Sequence, residues 1–125
     1  MNKFHATKTK IDGIKFDSRI EAERYIVLKA MQNQGLISGL ELQVRYKLIP
    51  NIYETINGKR KCVERGVDYV ADFVYTDNTG KKIVEDVKGM RTPAYIIKRK
   101  LMRWTHGIQI KEYPEKGSKC RKLKR

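Results

Sequence analysis

The stretch Tyr69-Val-Ala-Asp72-Phe-Val-Tyr75, followed after a turn by Lys82-Ile-Val-Glu-Asp86-Val-Lys88-Gly89, decides how the chain is read. Both runs carry the β-branched and aromatic residues of strands, and Asp77-Asn-Thr-Gly80 between them has turn composition. They read as a hairpin. Side chains alternate between the faces of a strand, so Asp86 and Lys88 share one side while Glu85 and Val87 share the other. Asp72 comes alongside on the partner strand. A lone carboxylate among Val70, Ala71, Phe73 and Val74 is expensive to bury. Two carboxylates and an ammonium at one spot make sense around a hard divalent cation such as Mg2+, which takes oxygen ligands and keeps several waters. Lys88 beside it is suited to orient a water or to stabilise charge developing on phosphorus. The plainer alternatives are a strand-edge charge at Asp72 and a solvated Asp86–Lys88 ion pair.

The rest of the chain says what such a site acts on. The 125 residues amount to one domain, expected over 1–113 and followed by a basic tail over 114–125. The formal net charge is +14. Lys88 to Arg125 holds thirteen Lys/Arg and two Glu, whereas the residues before it hold fifteen basic and twelve acidic groups. Acid thus collects with the hairpin and positive charge follows it, an asymmetry suited to a phosphate backbone. A solubilising tail is the blander explanation. No apolar run approaches the length of a membrane span, and the N-terminal residues have no apolar signal region, so a cytoplasmic protein is expected. Cys62 and Cys120 lack a C-x-x-C partner; they read as reduced thiols, Cys62 buried or half-buried in a strand, with no support for zinc.

Outward from the hairpin, Ala6–Ile11, Asp12-Gly13 and Ile14–Phe16 predict a small N-terminal hairpin. Ser18 with Glu21 three residues on predicts a helix N-terminus, the helix running to about Gln34 with Gly35 beyond it and Ile20, Val27, Leu28 and Met31 as its apolar face. Leu40–Ile49 alternates as a strand, Asn57-Gly58 marks a turn, and Gly66 breaks or bulges the long β-type run Lys61–Tyr75. Thr92-Pro93 opens a second helix ended by Gly107, with Ile97, Leu101 and Trp104 as its core stripe. Ile108–Tyr113 is a final strand. The expected class is α/β, a mixed α+β sheet.

Asp72 and Asp86-Val-Lys88 in an αβββαβ order resemble the PD-(D/E)XK nuclease superfamily. The runs Phe16-Asp-Ser18-Arg-Ile-Glu21-Ala-Glu-Arg-Tyr25, Leu42-Gln43, Tyr69-x-Ala-Asp72-Phe and Asp86-Val-Lys88-Gly89 are similar to a small phage-encoded group within it, related to branch-cutting endonucleases and Holliday junction resolvases. The likeness spans roughly residues 4 to 113. It implies a restriction-endonuclease-like core and a Mg2+-dependent endodeoxyribonuclease, with Mn2+ as substitute, acting on branched DNA as a homodimer in a host cytoplasm during phage recombination or replication. It places catalytic groups on Glu21, Asp72, Asp86 and Lys88, metal ligands on Asp72, Asp86 and Glu21, and a helper glutamine on Gln43. The motif's proline is replaced by Ala71, which is not a ligand position. Glu21 has a competing duty in the Ser18 cap, with Glu23 as its substitute. Arg91, Thr92, Tyr95, Lys98, Arg99 and Arg103, after the motif and near a helix N-terminus, are expected to grip phosphates. A non-catalytic DNA-binding accessory, or a nuclease subunit that needs a partner, is the competing function. His5 and His106 read as surface or capping residues, and Asp68 as a surface residue or a backup ligand.

Overall fold

Two dipeptides fix two hairpins. Asp12 and Gly13 take φ of 54° and 78°, and Asn57 and Gly58 take 53° and 76°, the left-handed pair that a two-residue turn requires. In the computed structural model, which describes residues 9–88 and 90–115, the first turn joins β1 (Thr9–Ile11) to β2 (Ile14–Phe16). The second joins β4 (Ile52–Ile56) to β5 (Lys59–Glu64). His5, Ala6–Lys8, Gly89, Cys120 and the tail from Lys116 lie outside the described residues.

Helix α1 (Arg19–Asn33) starts where Ser18 Oγ accepts from the Glu21 backbone N–H at 3.1 Å, and Gly35 follows its end at φ 80°. Strands β3 (Ile37–Ile49), β6 (Val67–Asp77), β7 (Lys82–Val87) and β8 (Lys111–Tyr113) form a four-stranded sheet in the order β3-β6-β7-β8. Helix α2 (Pro93–His106) is capped by Thr92 Oγ1 at the Tyr95 N–H and ends at Gly107, φ 68°. It makes the crossover that the parallel pair β7–β8 needs. The chain is therefore a mixed α/β protein. The order α1, β3, β6, β7, α2, β8 is the expected αβββαβ, preceded by the short hairpin and interrupted by the β4–β5 ribbon. Among the described residues no helix is long and apolar enough to cross a membrane.

The chain divides into two compact units. One takes in the chain up to Leu40 together with Tyr75–Ile83; the other takes in Glu41–Val74 and the chain from Val84 onward. In the first, α1 packs on β1 and β2, with the Phe16 and Tyr25 rings 5.2 Å apart and the Tyr25 hydroxyl donating to Asp12 at 2.9 Å. The buried face of α1 is Ala22, Tyr25 and Leu28, whereas Ile20 and Val27 are exposed. Of the expected face, Leu28 is buried and Met31 half-buried; Tyr25 takes the place of Ile20 and Val27, burying its ring while its hydroxyl stays satisfied.

In the second unit the core joins Leu48, Tyr69, Ala71, Val74, Val84, Tyr95, Met102 and Ile110. Of the expected α2 stripe, Leu101 is half-buried against the core, but Ile97 is exposed and Trp104 is 86% exposed, while Tyr95 and Met102 are buried. At 3.6 residues per turn, positions 97 and 104 lie about half a revolution from 95 and 102. Cys62 is exposed rather than buried, because every residue of β4 and β5 is exposed. Gly66 makes a break, not a bulge. A Cβ there would run into the Ile49 carbonyl oxygen, and the Gly66 N–H donates to Asn51 Oδ1 at 2.6 Å.

Candidate functional site

All three groups of the hairpin motif fall in the second unit, and the fold brings them together. Asp72 on β6 accepts from the Val87 backbone N–H through Oδ2 at 2.8 Å, so its carboxylate is held between Asp86 and Lys88 along β7. Asp86 is 3% exposed. Its Oδ1 accepts from the buried Tyr69 hydroxyl at 2.9 Å. Its Oδ2 is buried and accepts no hydrogen bond among the described residues, although the Lys88 ammonium lies 3.1 Å away as an ion-pair partner. Gln43 on β3 completes the group, its Nε2 3.4 Å from Asp72 Oδ1. Gln43 has φ 52°, a left-handed conformation that strains a residue with a Cβ by roughly 1 kcal/mol or more. Such strain in mid-strand is a mark of a residue held for its side chain's position.

Burial sets the electrostatics. It pushes the Asp72 carboxyl up to about 6 from an ordinary 3.8; the Val87 N–H pulls against that rise, and the nearby Asp86 charge adds to it. Burial likewise holds the Tyr69 and Tyr95 hydroxyls far above their ordinary range, so both stay neutral donors. Asp72 therefore sits in a place that disfavours its charge until a cation is near.

Around this group stands a second one with every valence used. Glu112 on β8 accepts through Oε1 from Arg91 Nε at 2.8 Å and Nη2 at 2.6 Å, and through Oε2 from the Tyr95 hydroxyl at 2.7 Å and Arg99 Nη1 at 2.9 Å. Burial opposes its charge, but these donors win and hold its carboxyl at about 2. The same Tyr95 carries Lys88 on its ring face, the ammonium 4.3 Å from the centroid. Glu112 thus fixes Tyr95, and Tyr95 fixes Lys88 beside Asp86.

The donors present fit a Mg2+-type ion. Asp86 offers a buried oxygen with no hydrogen bond, Asp72 a carboxylate raised by burial, and Mg2+ needs only one or two protein carboxylates with water and phosphate completing its shell. Among the described residues no group of three or more His, Cys, Asp or Glu is placed to hold a metal. The carboxylates that could take part are Asp72 and Asp86. Glu21 and Glu23 lie on α1 in the first unit, Glu23 paired with Arg19 at 3.7 Å across one helical turn.

The expected phosphate-binding residues separate. Arg91, Tyr95 and Arg99 turn to Glu112, and the Thr92 hydroxyl caps α2. Arg103 lines a cleft of about 350 Å³ with Arg99 and Lys100, and Lys98 lines another of about 440 Å³ with Arg45, Lys47 and Arg65. His106 Nε2 lies 2.8 Å from the Lys47 carbonyl oxygen, as a residue at a helix end. Sequence reasoning passed over Tyr69, Glu112, Arg45, Lys47 and Arg65. The signal for Glu112 is the spacing of Arg91, Tyr95 and Arg99, four apart and so on one helix face, next to a strand with one carboxylate. Glu85, also passed over, is fully buried.

A family model described as Protein of unknown function (DUF1064) matches residues 1–124. Comparison with curated proteins and with solved structures returned no match.

Proposed function

The chain belongs to the DUF1064 family, and we propose that it is a metal-dependent endodeoxyribonuclease hydrolysing phosphodiester bonds. The observation that carries this reading is Asp86 Oδ2, a buried carboxylate oxygen without a hydrogen bond, beside the Lys88 ammonium and on the strand whose Val87 N–H holds Asp72, in a chain of net charge +14. Asp72 and Asp86 would hold Mg2+, or Mn2+ in its place. Bound there, the ion supplies Lewis acidity to the phosphodiester and makes a nearby water more acidic. The chain's own groups do the rest. Tyr69 ties Asp86 Oδ1 and leaves Oδ2 turned to the site. Gln43 and the Val87 N–H orient Asp72. Lys88, supported on Tyr95, places a fixed positive charge where negative charge grows on phosphorus and where a water can be aligned. The preference for branched DNA, a homodimer that cuts both strands of a junction, Glu21 as a further carboxylate and action in a host cytoplasm come from the superfamily resemblance.

The test uses end-labelled four-way junction, flap, single-stranded and linear duplex DNA with Mg2+, Mn2+ or EDTA. Wild type is expected to cut with either metal and not with EDTA, and to prefer the junction. Asp72→Asn, Asp86→Asn and Lys88→Ala are each expected to lose cutting by about a thousandfold or more, in line with removing a catalytic electrostatic group. Equal cutting by wild type and all three variants would remove the assignment. Tight binding with no nicking under any condition would favour the accessory reading.

A further inference from the structure

The β4–β5 ribbon is the least explained part of the molecule. All of its residues are exposed, including Ile52, Tyr53, Ile56 and Val63, and a lone two-stranded hairpin is at best marginally stable in water. Yet the ribbon is firmly rooted. Gly66 presses against the Ile49–Asn51 backbone where no Cβ fits, and Asn51 Oδ1 ties the Gly66 N–H. The turn end carries Lys59, Arg60 and Lys61, and the Arg60 guanidinium lies 3.9 Å from the centroid of the Tyr53 ring. At the ribbon's root is the cleft of about 440 Å³ lined by Arg45, Lys47, Asn51, Arg65, Asp68 and Lys98. Its one carboxylate, Asp68, is engaged by Arg45 at 3.2 Å. Among the described residues Lys47, Arg65 and Lys98 form no ion pair.

We propose that ribbon and cleft together form a second nucleic-acid contact, apart from the Asp72–Asp86–Lys88 group, with duplex DNA as occupant. A major groove admits a two-stranded β-ribbon, and a ribbon basic at its turn end has the matching width and sign. Lys47, Arg65 and Lys98 take backbone phosphates at the root, contacts that position the duplex and carry no sequence information. The exposed Tyr53–Arg60 stack gives the ribbon a flat polar-aromatic surface for a groove wall. A second copy of this chain is the disfavoured occupant, because a cluster of cations on a +14 protein repels its like. The inference rests on the reading of the chain as DNA-acting, and it names the surface through which that DNA is held.

The test is fluorescence polarisation of a labelled duplex in EDTA, across a salt series, so that binding is read apart from cleavage. The triple variant Lys47→Ala, Arg65→Ala, Lys98→Ala is expected to bind at least tenfold more weakly. Its slope of log K against log salt should be shallower by about 2.7, roughly 0.9 for each phosphate that is no longer neutralised. The ribbon variant Arg60→Ala, Lys61→Ala is expected to bind severalfold more weakly. Unchanged circular dichroism confirms that both remain folded. Wild-type affinity and slope in both variants, with wild type binding well, would overturn this surface and leave the nuclease reading untouched. A change of mass in sedimentation, with DNA affinity preserved, would overturn it in favour of a contact between copies. Absence of DNA binding by wild type overturns both readings, whereas binding as expected without cleavage overturns the nuclease reading alone.

Discussion

Asp86 and Glu112 face each other across the parallel pair β7–β8, one register step holding both, yet they are opposite kinds of carboxylate. Glu112 is saturated: two guanidinium groups and a phenol occupy its two oxygens. Asp86 is left incomplete, with Tyr69 on one oxygen and the other buried without a hydrogen bond beside Lys88. A protein optimised only for stability would put hydrogen-bond donors on both oxygens of each, since an unsatisfied buried acceptor typically costs about 1–3 kcal/mol. The difference teaches that the structural work at this end of the sheet is done by Glu112, while Asp86 keeps one oxygen without a hydrogen bond.

The largest test of that division removes the structural member. Glu112→Gln leaves Arg91 and Arg99 without their anion. Breaking a buried pair costs several kcal/mol, and partial solvent access at both arginines reduces this to roughly 2 kcal/mol. Urea denaturation should show that loss. Asp86→Asn, by contrast, keeps an acceptor for the Tyr69 hydroxyl and leaves one ammonium unpaired rather than two guanidinium groups, so it should destabilise less than Glu112→Gln. If Asp86→Asn destabilises more than Glu112→Gln, the division of labour is reversed.

The sheet's acids also predict opposite pH responses. Glu112 has a folded value of about 2 against 4.5 for the ordinary group. Its carboxylate is favoured by folding, so its contribution is complete above 4.5 and disappears as pH falls toward 2. Asp72 stands at about 6 against 3.8. Its folded form holds the proton more tightly, so stability in the absence of metal declines as pH rises from about 3.8 to 6 and stays lower above that. Each swing is on the order of 2 kcal/mol after allowance for solvent access. Stability measured from pH 2 to 8 in EDTA should lose its acid limb in Glu112→Gln and its decline toward pH 6 in Asp72→Asn. A single shared response in both variants would mean that the two acids are one coupled system.

The legibility of these groups in the sequence follows the range of the interactions that define them. Asp72, Asp86 and Lys88 could be brought together from strand alternation and one turn, because every contact that gathers them lies within a hairpin or its neighbour. The caps at Ser18, Thr92 and Gly107 were legible for the same reason. Glu112 was not, because its meaning depends on a row of α2 meeting a strand placed by the crossover. That row also sets the rotation of α2: with Tyr95 drawn to Glu112 and packed in the core, Trp104 faces outward, although a count of apolar residues favours it for the interior. The ribbon was hidden for another reason. Its Ile, Tyr and Val composition reads as a sheet strand, and only the close approach at Gly66 shows that it leaves the sheet.

The smallest expected effect concerns Gln43, where strain and chemistry meet on one residue. Its φ of 52° opposes any side chain with a Cβ, and its amide reaches Asp72 Oδ1 at 3.4 Å. Gln43→Gly removes both the strain and the amide; Gln43→Ala removes the amide alone. Glycine should raise stability by about 0.5–1 kcal/mol, part of the relief being offset by its freedom in the unfolded chain, while alanine should stay within about 0.5 kcal/mol of wild type. If the proposed nuclease reading holds, cutting should fall by the same factor in both, because both lose the amide that reaches Asp72. Equal activity loss with unequal stability separates the two roles. Full activity in both variants would show that the left-handed backbone at Gln43 serves the path of β3 alone and that Asp72 is positioned by the Val87 N–H without help.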